Sequence, residues 1–170
     1  GEDAVQELGA LIGGFAERYF GYWTSGMRAK LGLVGAEDGD FDLATSLFAA
    51  MAGQGVDFTL LFRALARDED ELRALFADPA GFDAWLPRWR ERLGSGKKAA
   101  AMNAANPLYI PRNHMVEAAL EAATRDDNLG PFDALLDAVR NPYTERPGQS
   151  AYARPAPEGS LTRLASPHGR

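Results

Sequence analysis

The chain has no cysteine and only two histidines, His114 and His168, among its 170 residues. Without cysteine there is no disulfide framework, no thiolate nucleophile and no sulfur-rich metal site. Neither histidine has a second histidine four residues away, so a zinc-binding pair on one helix face is missing. Cations are outnumbered: 18 Lys and Arg stand against 24 Asp and Glu, a net charge of −6. That balance argues against a nucleic-acid partner, because neutralising phosphates needs clustered Lys and Arg. No apolar run approaches the roughly 20 residues that a membrane span requires. The first residues, Gly1-Glu2-Asp3, are acidic and lead directly into a helical pattern, unlike a signal or transit peptide. The lack of cysteine fits a reducing compartment, and the expected location is cytoplasmic.

What is present is ordinary for a soluble domain: 46% hydrophobic and 25% charged residues. A chain of this size can bury roughly 70% of its unfolded surface. The hydrophobic periods are helical almost throughout. Val5, Leu8, Ile12, Phe15, Tyr19, Tyr22 or Trp23, and Met27 recur at alternating steps of three and four, which predicts one long amphipathic helix ending near Leu31-Gly32. A second helix is predicted from Asp40 or Asp42 to Gly53. Asp57 reads as the N-cap of a third, carrying Phe58, Leu61, Phe62 and Leu65. A short helix follows over Asp68 to Phe76. Asp78-Pro79 opens another, with Phe82, Trp85, Leu86, Trp89 and Leu93 on its apolar side and Pro87 inside it, where a kink or a tightened turn is expected. Lys97 to Ala105, Asn113 to Arg125 and Pro131 to Arg140 complete the series. From Asn141 onward, prolines fall among Gly, Ser and Arg without a hydrophobic period, so residues 141–170 are expected to form an extended or disordered tail, with Tyr143 and Tyr152 as anchors. The expected fold is all-α: an irregular bundle of about seven or eight helices over residues 1–140, followed by that Pro-rich tail.

Several patterns touch on chemistry without building it. Asp38-Gly39-Asp40-Phe41-Asp42 begins like a calcium loop, but Leu43 and Ala49 stand where the required Gly and Glu would be. An acidic turn with an N-cap explains it better. Gly148-Gln149-Ser150-Ala151-Tyr152 resembles the front of a nucleophile elbow but lacks its closing Gly and its strand. Arg88, Arg90 and Arg92 interleave with Trp85 and Trp89, a combination used for base stacking. At helical spacing the tryptophans belong in a core, with the arginines as a solvated face. Arg63 follows an apolar cluster and is expected to pair with a carboxylate, within the fold or across domains.

The segment Asn106-Pro107-Leu108-Tyr109-Ile110-Pro111-Arg112-Asn113-His114 stands apart. Pro107 and Pro111 fix their own φ and push Asn106 and Ile110 out of the α region. The result is a rigid joint between two helices, whose polar residues Asn106, Arg112 and Asn113 are structural or interdomain candidates.

This segment, with Asn141-Pro142-Tyr143 downstream, is one of three stretches that resemble the C-terminal part of the selenoprotein O family, also called the YdiU family of protein adenylyltransferases. The others are Tyr22-Trp23-Thr24-Ser25-Gly26-Met27-Arg28-Ala29-Lys30-Leu31-Gly32-Leu33, and Leu47-Phe48 through Met51 followed by Val56-Asp57-Phe58-Thr59-Leu60-Leu61-Phe62-Arg63-Ala64-Leu65. The resemblance implies a kinase-like protein that binds ATP and magnesium and transfers AMP to hydroxyl side chains of other proteins. It also implies that the nucleotide-gripping, catalytic and metal-binding residues lie upstream of the matched region, so none is assigned here. On this expectation the chain's partners are a missing N-terminal kinase-like core and, in the whole protein, its protein substrates. The alternative is a stand-alone helical interaction module that kept the scaffold without the chemistry. Two departures accompany the resemblance. Relatives commonly end near a Cys or selenocysteine, whereas this chain ends Leu164-Ala165-Ser166-Pro167-His168-Gly169-Arg170, which removes the ground for a redox role there. Pro111 stands where many relatives carry Leu and stiffens the approach to the helix.

If the joint is structural, Arg112 is held by a carboxylate or by backbone carbonyls. Arg112→Ala is then expected to cost about 1–3 kcal/mol through the partner left unpaired. An unchanged urea midpoint would contradict this.

Overall fold

The computed structural model describes residues 2–96 and 99–157. Among them it shows nine α-helices, one 3₁₀ turn and no strand, so the chain is all-α as expected. The contacts divide it into two units, residues 1–105 and 106–170.

The first unit holds α1 (Glu2–Gly13), α2 (Phe15–Leu31), α3 (Asp40–Met51), α4 (Phe58–Leu65), α5 (Glu69–Arg73), α6 (Ala80–Leu93) and α7 (Ala99–Ala105). The long first helix expected from the periodicity is two helices, separated at Gly14. Two consecutive glycines, Gly13 and Gly14, each cost about 1 kcal/mol in a helix interior, and the apolar period continues across them regardless. Arg18 stitches the break, its Nε donating to the Gly14 carbonyl (3.2 Å) and its Nη2 to that of Leu11 (2.7 Å).

The core forms where α2, α3, α4 and α6 meet. Leu31, Leu47, Leu61, Leu65 and Phe82 are fully buried there, with Leu72 of α5. Along α6 the spacing 82, 85, 89 puts three rings on one face. With Phe76 they form a ladder with centroids 4.9, 5.8 and 5.7 Å apart. Each such contact adds about 0.5–1.5 kcal/mol beyond area burial. The tryptophans also satisfy their polar handles: Trp85 Nε1 donates to the Leu43 carbonyl (2.8 Å) and Trp89 Nε1 to that of Leu31 (3.0 Å). Helix α6 continues through Pro87.

Local capping explains several boundaries. Asp57 Oδ1 accepts from Leu60 N (2.9 Å) and starts α4 as predicted. Asp68 Oδ1 accepts from Asp70 N (2.7 Å) and starts α5, which ends at Arg73, short of the expected Phe76. Helix α3 differs: its N-cap is Gly39 at φ +96°, a left-handed conformation suited to glycine, and not an aspartate. Helix α2 ends at Gly32, at φ +74°, whose N–H bonds back to Ala29 O.

The second unit is built on α8 (Asn113–Arg125) and α9 (Gly130–Arg140), packed against each other. The segment after α9, expected as a free or laid-over tail, is packed as far as it is described. A 3₁₀ turn spans Ser150–Ala153, and Tyr152 and Ala153 pack on the cluster of Leu108, Tyr109 and Ala138. Polar fastenings explain why a segment without hydrophobic period is ordered. Tyr109 Oη accepts from Arg146 N (3.1 Å), and Asp137 Oδ2 accepts from Arg146 Nη1 (2.8 Å) and Gln149 Nε2 (2.9 Å). Tyr152 is an anchor, whereas Tyr143 is exposed. The start of the expected helix at Lys97, and Pro167, His168 and the terminus Leu164–Arg170, lie outside the described residues.

A methyl group added at Gly32 would sit 2.8 Å from Cγ and Sδ of the fully buried Met102, on a left-handed backbone. Gly32→Ala should therefore lower stability by roughly 2–4 kcal/mol, from the backbone penalty and overpacking together. Chemical denaturation checks it, and a change under 0.5 kcal/mol would be inconsistent with this packing.

Candidate functional site

The acidic stretch before α3 folds around one buried carboxylate. Asp40 is 3% exposed. Its Oδ1 accepts from Arg92 Nε (2.7 Å), and its Oδ2 from Arg92 Nη2 (3.2 Å) and from the backbone N–H of Glu37 (3.0 Å). Arg28 approaches the same oxygen at 3.6 Å. Arg92 also donates to the carbonyls of Val34 (3.3 Å) and Gly35 (3.2 Å) and pairs with Glu37 (3.1 Å). Thus α2, α3, α6 and the loop between α2 and α3 meet at one ion-paired centre. Burial by itself pushes the Asp40 carboxyl up. The hydrogen bonds from Arg92 and Glu37 N–H, with the charges of Arg92 and Arg28, outweigh it and hold the group below the usual carboxylate range.

Beside this centre lies an open cleft of about 310 Å³, reached by Asp38, Leu43, Arg88 and Glu91. Its most buried charged groups are not free for magnesium–ATP. Both Asp40 oxygens are committed to Arg92 and Glu37, and Arg88 is committed to Asp42 (2.5 Å). A magnesium site needs carboxylate oxygens open to the ion, and a triphosphate needs unengaged donors. No cluster of three potential metal ligands occurs among the described residues.

Two of the α6 arginines, Arg88 and Arg90, are exposed as their spacing suggested, whereas Arg92 is largely buried. Arg88 pairs with Asp42, Arg90 with Glu69, and Arg92 with Asp40. Charged residues on α3, α5 and the preceding loop are positioned to receive them, which the α6 pattern alone does not reveal. With Trp85 and Trp89 buried, base stacking has no platform.

Arg63 is buried on α4, and its Nη1 donates to the Asn103 carbonyl (3.3 Å). Lys30 reaches the Ala105 carbonyl (3.3 Å), with its ammonium 5.9 and 5.6 Å from the rings of Phe58 and Phe62. Burial pushes the Lys30 pKa down. Both cations therefore address the last turn of α7, where carbonyls lack helical partners and the helix dipole is negative. In the second unit, Asn106 is 1% exposed and Arg112 Nη2 donates to the Ala153 carbonyl (3.3 Å). Arg112 is also the N-cap of α8, its carbonyl accepting from Met115 N and Val116 N. Asn113 opens α8 and is exposed, and His114 is half-buried. Pro142 O accepts from Leu108 N (2.6 Å) and Tyr109 N (3.2 Å), pinning the proline-bracketed segment to the end of α9. Ser150, the serine of the elbow-like motif, opens the 3₁₀ turn with no strand before it.

The fold and these side chains define a helical scaffold whose polar groups hold elements together. Residues 4–140 match the family described as protein adenylyltransferase SelO, and the chain belongs to that family. Among its relatives is a protein nucleotidyltransferase YdiU of Cereibacter sphaeroides strain KD131, 52% identical over 161 residues, covering 93% of this chain and 33% of the relative. Proteins of the same name from Rhodopseudomonas palustris strain BisB18 and Rhizobium johnstonii are 43% and 42% identical, covering 89% and 91% of this chain and 33% of each relative. The chain spans about a third of the length of the curated relatives it matches. No helix is long and apolar enough to cross a membrane among the described residues.

Removing the Asp40 charge should expose how far the first unit relies on it. Asp40→Asn is expected to cost about 2–4 kcal/mol, somewhat less than a fully buried pair because Arg28 and Arg92 keep some solvent. Because the folded carboxyl titrates below its unfolded value of about 3.9, its contribution is complete above that pH and is lost as pH falls through the depressed folded value. Urea midpoints between pH 7 and pH 2 should therefore fall more steeply below pH 4 in the wild type than in the variant. Parallel curves would contradict the role given to Asp40.

Proposed function

We propose that this chain is the C-terminal helical portion of a larger kinase-like adenylyltransferase that transfers AMP from ATP, with magnesium, to hydroxyl side chains of proteins. In that protein this portion braces the catalytic core and shapes access to it, while the nucleotide- and metal-binding residues belong to the remainder of the polypeptide. The observation that carries the reading is coverage: nearly all of this chain matches one third of each nucleotidyltransferase relative. It is supported by the use made of the conspicuous polar residues: Asp40, Arg92, Arg63, Lys30 and Arg112 bond to backbone groups or to each other.

Calorimetry tests this directly. The 170-residue chain should give no saturable heat with ATP and magnesium up to millimolar concentration. Magnesium-dependent binding at micromolar concentration would place the nucleotide site within this chain and overturn the proposal.

A further inference from the structure

From Val5 to Tyr22 no described side chain is buried. Along this stretch Val5, Leu8, Ile12, Phe15, Tyr19 and Tyr22 are 71, 58, 67, 65, 59 and 79% exposed. Their spacing runs 3, 4, 3, 4, 3 and carries the stripe across the break at Gly14. At roughly 150–250 Å² for a whole aromatic residue, Phe15, Tyr19 and Tyr22 alone leave roughly 300–500 Å² open. A soluble monomer seldom exposes so large an apolar stripe without a use for it.

Helix α1 also lacks support within its own unit. It has 12 residues, about the length at which isolated helices are marginal in water, and its one substantial neighbour among the described elements is α2. The part of α2 that follows the break has no buried residue before Thr24, and Trp23 is its first residue packed against the core. Helices of this kind draw their stability from packing an amphipathic face, and here that face is uncovered. Alternating steps of three and four are the pattern of a helix that packs lengthwise on another helix, with apolar knobs entering holes on the facing surface.

We infer that the Val5–Tyr22 stripe is a helix-docking seam, and that its occupant is an apolar helical face in the remaining two thirds of the same polypeptide. This rests on the proposed function. The curated relatives are about three times as long as the matched region, so most of such a protein lies outside this chain. A face on the same polypeptide meets the seam at an effective concentration in the millimolar range, which a second copy at micromolar concentration does not match. The stripe is uncharged, so it fits an apolar helix better than an acidic or basic peptide.

The absence of cysteine makes the seam directly measurable. Single substitutions Ile12→Cys and Tyr19→Cys, with Glu71→Cys as an exposed control on α5, are labelled with a maleimide and quantified by peptide mass spectrometry. In the 170-residue chain all three positions should label at similar rates, and sedimentation should show a monomer. In the full-length polypeptide, positions 12 and 19 should label at least tenfold more slowly and position 71 at an unchanged rate. Equal labelling of 12, 19 and 71 in the full-length protein would overturn the inference. So would a concentration-dependent dimer of the 170-residue chain that shields 12 and 19, because the occupant would then be a second copy. AMP transfer measured on the same full-length samples separates the two claims: an active protein with an unprotected stripe sinks the seam alone, and an inactive protein with a protected stripe sinks the proposed activity alone.

Discussion

The Asp40 carboxylate is the one charged group at which α2, α3 and α6 meet among the described residues. Its position between Arg92 on α6 and Arg28 on α2 fixes where α3 begins, and Glu37 N–H closes the turn that leads to it. Once α3 starts there, Leu43, Ala44 and Leu47 face the core, and the Leu43 carbonyl receives the Trp85 indole. The aromatic ladder of α6 then lies over α3 with its polar atoms satisfied. A buried charge is expensive unless all its lone pairs are engaged. Here two guanidinium bonds, a backbone N–H and a second cation engage them, so the centre specifies one arrangement of the three helices.

Polar side chains elsewhere follow the same economy of purpose. Arg63 and Lys30 complete the unsatisfied end of α7, while Tyr109, Asp137 and Arg112 fasten the segment after α9. These are the groups from which an active site would otherwise be assembled. Their commitment to carbonyls and to each other supports the proposed scaffold role. It leaves α1 and the first part of α2, with their uncovered apolar stripe, as the surface most in need of a partner.

What could be read from the sequence depended on distance along the chain. The Asp57 cap, the limits of α8 and the apolar face of α6 arise from residues within a few positions of each other, and all were legible. The role of Asp40 was not, because its main partner lies 52 residues away and the D-x-D-x-D run pointed towards a turn or a metal. The ordered segment after α9 was missed for a similar reason: Arg146 N–H finds its acceptor on Tyr109, 37 residues earlier, with no hydrophobic period to announce it. The Val5–Tyr22 stripe was visible as a pattern, yet periodicity says only that a face is apolar and not whether anything covers it. The break at Gly13-Gly14 was overridden by that pattern, because a glycine pair changes the backbone while leaving the spacing of apolar residues intact.

In the proposed function this chain supports AMP transfer without performing it. The most direct measurement is AMP incorporation into a protein acceptor, followed by mass spectrometry, with the full-length polypeptide and the 170-residue chain compared at equal concentration in ATP and magnesium. The proposed function predicts AMP adducts with the full-length protein and none with the chain alone. Adducts formed by the 170-residue chain on its own would contradict it.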